Sequence, residues 1–202
     1  MIAYDSEFKG KKYNLGTSGF LYRSNKVMYD KATQSLWNTI EGKPVIGPLA
    51  GSDIVLESYS VVTTTWGKWK KLHPSTTVLS LDTGHDRDYG EGVAYQNYFS
   101  TDELMFNVPE LDNRLNNKDE VLIVRAEKYT EDPLAISAKF LARHRVYQNQ
   151  IGATNFVVLT DKSGANRVYE SGDHKFKKIK NMTVRDKAVS YTHLTLPTIL
   201  LV

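Results

Sequence analysis

Turn residues recur roughly every ten positions through the first quarter of this chain, and the apolar runs between them are too short for helices. Ile2 to Phe8 and Lys11 to Leu15 flank Lys9-Gly10, a spacing that predicts a β-hairpin with Gly10 at the positive φ such a turn requires. Phe20-Leu21-Tyr22 and Val27-Met28-Tyr29 are split by the polar Arg23-Ser24-Asn25-Lys26. Asp30 opens the next turn, Ser35 to Ile40 reads as the returning strand, and Glu41-Gly42-Lys43 leads into Pro44-Val45-Ile46. Gly47-Pro48-Leu49-Ala50-Gly51 then punctuates the chain. Strands joined this closely run antiparallel, because a parallel crossover needs a dozen or more residues.

Helical signals are few. Thr63-Thr64-Thr65 offers a cap to a short helix in which Trp66, Trp69 and Leu72 or His73 share one face, with Pro74 just beyond its end. That face is expected to pack on a sheet. Thr76 to Leu81 reads as a strand and Asp82 to Asn117 as a long polar, turn-rich stretch interrupted by Leu104-Met105-Phe106 and Val108. Glu120 to Ala126 is a predicted strand, Ser137 to His144 a short helix, and Phe156 to Thr160 with Arg167 to Glu170 a hairpin around Ser163-Gly164. The fold class is therefore mainly β, α+β at the margin, with antiparallel sheets and a few short helices.

Composition narrows the function classes. The 202 residues suffice for a real core, and 41% hydrophobic with 11% aromatic residues argue against disorder. Twenty-six Lys and Arg against 23 Asp and Glu leave a charge of +3, too balanced for a dedicated nucleic-acid binder. No stretch approaches the roughly 20 apolar residues of a membrane helix, so no integral membrane segment is expected. Without cysteine, the chain as it stands has no thiolate zinc site, disulfide framework or cysteine nucleophile.

The two ends carry expectations of their own. No leader with a charged start and an apolar run is visible, and the chain enters a strand at Ile2, which suggests a truncated frame. From Val189 the text switches from Lys-rich to Thr- and Leu-rich, in a form like translated sequencing adapter. The expected organisation is one β-rich domain over 1–187, cut short at both ends, with 188–202 a non-native tail.

Chemistry concentrates after Leu81. Asp82, His85, Asp86, Arg87, Asp88 and Tyr89 place three carboxylates, an imidazole, a guanidinium and a phenol within eight positions at the end of a predicted strand, where sites are commonly built. Three readings are open. Asp82-Thr83-Gly84 after apolar residues has the shape of an aspartic-protease fingerprint, which with one copy per chain requires a homodimer. Asp82, His85, Asp86 and Asp88 suit a hard metal ion, although their spacing is not that of an EF-hand. Third, the stretch is a well-bonded loop, its Asp residues capping backbone amides and Arg87 paired with a carboxylate. If catalytic, the carboxylates would act as bases, His85 as proton carrier and Arg87 as anion clamp, with Tyr89 flanking.

Other signals are weaker. His73 reads as a helix-end residue, and His144 and His174 lie in basic surroundings. Lys175, Lys177, Lys178 and Lys180 alternate with Phe176 and Ile179 as on a solvated strand face or a lysine-protected edge. Gly16-Thr17-Ser18-Gly19 precedes a predicted strand, not a helix, which removes a phosphate-cradle reading. No dinucleotide fingerprint, phosphate loop or nucleophile elbow occurs.

Several segments, in order, resemble one family. They are Leu15 to Asn25, Val27-Met28-Tyr29-Asp30, Ser35-Leu36-Trp37, Gly47 to Gly51, Trp66 and Trp69 with His73-Pro74, and Asp82 to Gly90. Together they are similar to the prokaryotic domain of unknown function family 3179 (DUF3179), over about residues 2–186. The resemblance implies an upstream Tyr-Cys-x-x-Cys-Gly-like segment able to bind metal or cycle a disulfide, a secretion or lipoprotein leader, and further β-rich chain beyond 187. It implies an extracytoplasmic home in the intact protein.

The functional reading from sequence is a binding or structural module of an exported prokaryotic protein. A metal-dependent or redox enzyme combining the 82–90 loop with upstream cysteines is the alternative, and an aspartic-type hydrolase using Asp82-Thr83-Gly84 the second. Ligand, cofactor and partner are not specified by these residues.

Overall fold

A computed structural model describes residues 2–22, 24–125 and 133–177, and the backbone alone of 178–180, 183–186, 190–191 and 200–201. Antiparallel strands dominate it, as the turn spacing predicts.

In the first part of the chain come β1 (Ala3–Tyr4), β2 (Glu7–Phe8), β3 (Lys11–Lys12), β4 (Leu15–Tyr22), β5 (Asn25–Asp30), β6 (Leu36–Asn38), β7 (Lys43–Ile46) and β8 (Ser58–Tyr59). The expected hairpin around Lys9-Gly10 forms, but only between β2 and β3. Lys9 (φ 48°) and Gly10 (φ 78°) are both left-handed, as a two-residue turn with the right twist requires. The hairpin is short because Asp5 interrupts it. Its carboxylate accepts the Glu7 N–H at 3.0 Å while its own N–H donates to the Glu57 carbonyl, so Ala3–Tyr4 pairs instead with Ser58–Tyr59.

β4 to β7 form a four-stranded meander in sequence order. Gly16 to Gly19 lie inside β4 and do not precede it, with the pairing to β5 interrupted between Thr17 and Leu21. The β5–β6 corner is built on Asp30, which is buried and accepts hydrogen bonds from the Ala32 and Thr33 N–H groups and the Thr33 hydroxyl. Burial pushes the Asp30 carboxyl up, and these hydrogen bonds outweigh it, holding the group below its ordinary range. One face of the meander is covered by Tyr13, Trp37, Ile54 and Leu56, with Tyr4, Phe8, Leu15 and Leu49 packed around them.

Two short helices follow, α1 (Trp66–Leu72) and α2 (Gln96–Phe99). α1 begins and ends where the sequence predicts: Thr65 caps it through Oγ1 on the Lys68 N–H, and His73 closes it with its N–H on the Trp69 carbonyl. Its apolar face does not pack on a sheet. Trp66, Trp69 and Leu72 are 52%, 42% and 57% exposed. The strand predicted over Thr76 to Leu81 is also absent, and Leu79 is 93% exposed. Alternating apolar residues suit a strand only where another strand supplies its hydrogen bonds, and among the described residues no strand pairs with this segment. No residue from 57 to 121 is buried.

The remaining elements are β9 (Val121–Val124), β10 (Leu134–Ser137), α3 (Ala138–Arg143), β11 (Val146–Ile151), β12 (Thr154–Thr160), β13 (Asn166–Glu170), β14 (Phe176–Lys180), β15 (Thr183–Asp186), β16 (Ser190–Tyr191) and β17 (Leu200–Leu201). β11-β12-β13 is a second meander containing the predicted hairpin, and its corner repeats the first. Asp161 accepts from the Ser163 and Ala165 N–H groups, the Ser163 hydroxyl and Arg167. A chain leaving a strand at Tyr29-Asp30-Lys31 or Thr160-Asp161-Lys162 thus turns on a buried carboxylate in both places. β10 and β11, which the sequence reading did not identify, flank α3 and share a core with it: Leu122, Val124, Ile136, Leu141, Ile151, Phe156, Val158 and Val168. The α3 helix has Ser137 as its N-cap and His144 as its C-cap, within the predicted span. β14 is an edge strand, as its lysines suggest, with Phe176 buried and Lys177 exposed. The Lys178 and Lys180 side chains lie outside the described residues, as does the stretch 188–202 apart from the backbone of β16 and β17.

Candidate functional site

The residues singled out after Leu81 form a turn-rich surface loop. Asp82, His85, Asp86, Arg87, Asp88 and Tyr89 are all exposed. The loop organises itself locally: the Asp82 N–H donates to Ser80 Oγ at 3.0 Å, the Gly90 N–H to Asp88 Oδ1 at 2.7 Å, and the Thr83 and Tyr89 hydroxyls meet at 2.8 Å. Asp88 thus caps a backbone amide, whereas Arg87 forms no ion pair among the described residues. Among those same residues no three His, Asp or Glu side chains gather as metal ligands.

Two other histidines, His73 and His144, serve as helix ends. His73 stacks on Trp69 at 4.1 Å, and His144 stacks on Phe140 at 4.1 Å with Nδ1 3.0 Å from the Phe140 carbonyl oxygen. A polar groove of about 630 Å³ runs between β11 and the start of β14, but its Gln148 amide is already used, donating to the His174 carbonyl and accepting the Phe176 N–H.

A different site emerges where β1 crosses the end of the first meander. Trp37 and Met28 sit opposite one another on β6 and β5, so their side chains share a face. Tyr4 approaches that end from β1. Its hydroxyl donates to the Ile40 carbonyl at 2.8 Å, and its ring lies against Gly42, where a Cβ would come within 2.6 Å of Cε1. Gly42 (φ +67°) therefore meets two demands at once, a left-handed turn and contact with a ring. Burial pushes the Tyr4 phenol up to about 12, with Arg125 pulling it down and Glu41 pushing it up, so it stays a neutral donor.

Between these groups lies a cavity of about 280 Å³, its apolar wall made by Ile2, Tyr4, Leu15, Met28, Trp37 and Leu56. Asn25, Lys26, Thr39 and Asn38 line it too, and the three uncharged side chains are engaged within the protein. Asn25 Nδ2 donates to Thr39 Oγ1 at 2.7 Å, Thr39 Oγ1 to the Lys26 carbonyl at 2.6 Å, and Asn38 Oδ1 accepts the Ile40 N–H at 2.9 Å. One group breaks this pattern: Trp37 is 1% exposed, and its Nε1–H has no hydrogen-bond partner among the described residues. Leaving such a donor buried and unpaired costs about 1–3 kcal/mol. The chemistry available is recognition of an apolar body, with Lys26 the one charged residue among the described residues of the lining.

Sequence reasoning passed over Tyr4, Trp37 and Gly42 as strand and turn residues. Their convergence depends on β1 pairing with β8, Ala3 opposite Tyr59, beside a Tyr59–Asp5 side-chain hydrogen bond that spans 54 residues, and no local pattern carries that information.

No curated protein and no solved structure matches the chain. The family model described as "Protein of unknown function (DUF3179)" matches residues 1–197, with strands and loops carrying the ordered motifs from Leu15 to Gly90. The chain belongs to the DUF3179 family.

Proposed function

We propose that this chain is a binding module of an exported prokaryotic protein and takes a small apolar ligand in the cavity between Tyr4 and Trp37. Export rests on the family resemblance alone. The observation that carries the binding role is the mainly apolar cavity of about 280 Å³ walled by Tyr4, Met28, Trp37 and Leu56. Pockets for small ligands combine this kind of mainly apolar lining with a few placed polar groups. The test uses a chain carrying Trp66→Phe and Trp69→Phe, which leaves Trp37 as sole tryptophan and alters only exposed positions. Titration with acetophenone and with isopropylbenzene should give a saturable change in Trp37 emission and a rise in Tm with at least one of them. Absence of saturation with both, up to their solubility limits, would overturn the proposal.

A further inference from the structure

The lining of the cavity also constrains the ligand's chemistry. We infer that the ligand is a small amphiphile, an apolar body of about ring size carrying one carboxylate that meets Lys26 at the cavity's rim; this rests on the cavity being the binding site, as proposed above.

Strand register places the lysine. β5 pairs with β6 without a shift, Met28 opposite Trp37 and Val27 opposite Asn38. Side chains two apart on a strand share a face, so Lys26 stands on the face of Met28 and Trp37, and all three line the cavity. Lys26 is exposed where Trp37 is buried, which puts the charge at the rim and the apolar wall deeper. The ammonium forms no ion pair among the described residues, and none of the described lining residues is Asp or Glu. Of the charges outside the lining, Arg125 acts on the Tyr4 phenol more than Glu41 does, and Glu41 is paired with Lys43. A cationic ligand would therefore meet like charge and no counter-ion. A carboxylate at the rim gains the ion pair while keeping part of its hydration, which avoids the desolvation penalty of a fully buried charge. One lysine balances one charge, so a monoanion fits better than a phosphate dianion. Size follows from volume. A dry cavity of about 150 Å³ holds benzene, so about 280 Å³ admits a ring with a short chain reaching the rim.

3-Phenylpropanoate and 3-phenylpropanamide have nearly the same shape and differ in charge. Their affinities should be compared, from Trp37 emission, in the Trp66→Phe, Trp69→Phe chain and in the same chain carrying Lys26→Met. That substitution keeps an apolar stem at an exposed position and leaves the residue's carbonyl to accept from Thr39 Oγ1. Raw affinities mix the ion pair with the ligands' different hydration, so the informative quantity is how their ratio changes. Loss of the ammonium is expected to lower the carboxylate-to-amide ratio roughly three- to tenfold, and Lys26→Arg to preserve it. Raising NaCl from about 20 mM to about 500 mM should lower the same ratio in the lysine-containing chain. That second readout stands even if Lys26→Met fails to fold. A ratio unmoved by Lys26→Met or by salt would overturn the carboxylate inference and leave the binding module standing. Tighter binding of 3-phenylpropylamine than of 3-phenylpropanoate would overturn the sign of the charge. No binding by these three probes, while acetophenone or isopropylbenzene binds, would also overturn this inference alone. No binding by any probe would remove the binding site itself.

Discussion

Replacing Gly42 by alanine probes the geometry that closes the cavity. The new Cβ would stand 2.6 Å from Tyr4 Cε1 and 3.1 Å from Cδ1 and Cζ, while real Cβ contacts essentially never fall below 3.0 Å. The ring has to move, and with it the Tyr4 hydroxyl that donates to Ile40 at 2.8 Å, a bond with a net worth of about 1 kcal/mol. At φ +67° an alanine adds backbone strain of about 1–2 kcal/mol, reduced somewhat by the lower entropy of its unfolded chain. Displaced packing brings the expected loss to about 2–4 kcal/mol. Urea unfolding of four proteins measures it: the parent, Gly42→Ala, Tyr4→Ala and the double variant. With the ring absent, Gly42→Ala should cost only the strain, about 1 kcal/mol, leaving a coupling of about 1–3 kcal/mol between the two positions. An equal cost of Gly42→Ala in both backgrounds would refute the contact between ring and glycine as its origin.

Other consequences are open to direct measurement. Asp30 has a folded carboxyl held below its ordinary value of 3.8, so its contribution is present above that pH and lost as pH falls through the folded value. Asp30→Asn should therefore flatten the fall of Tm between about pH 5 and about pH 2, and an unchanged acid limb would refute the assignment. Asp82→Asn and His85→Ala, both exposed, should each shift stability by less than about 0.5 kcal/mol and leave acetophenone titrations unchanged. Proteolysis at acid pH that disappears with Asp82→Asn would instead establish the aspartic-type hydrolase. Phe156→Ala, at a position 1% exposed in the second core, should cost about 3–5 kcal/mol by chemical denaturation; a cost below about 1 kcal/mol would show that this core is not packed as described.

Local chemistry was enough to specify much of this protein. Thr65 and His73 bound α1 because a hydroxyl cap and a following proline act within a few residues. Lys9-Gly10, Asp30 and Ser163-Gly164 mark turns because their backbone or side-chain requirements are met nearby. The antiparallel, mainly β class follows from the same short connections. Failures share one cause. Val78, Leu79 and Leu81 have the alternation of a strand, and Trp66 with Trp69 the spacing of a packed helix face, yet both remain exposed. Whether such surfaces are covered depends on distant partners, which periodicity does not encode. The concentration of charged groups at 82–90 was legible as composition and a loop was among its readings, but which of the readings held was not. Tertiary structure alone brought Tyr4 over Gly42 and set Trp37 in a cavity wall. Antiparallel register decides which side chains share a face, and long-range pairing decides what covers that face. The cavity therefore belongs to the fold, although each residue that lines it was visible in the chain.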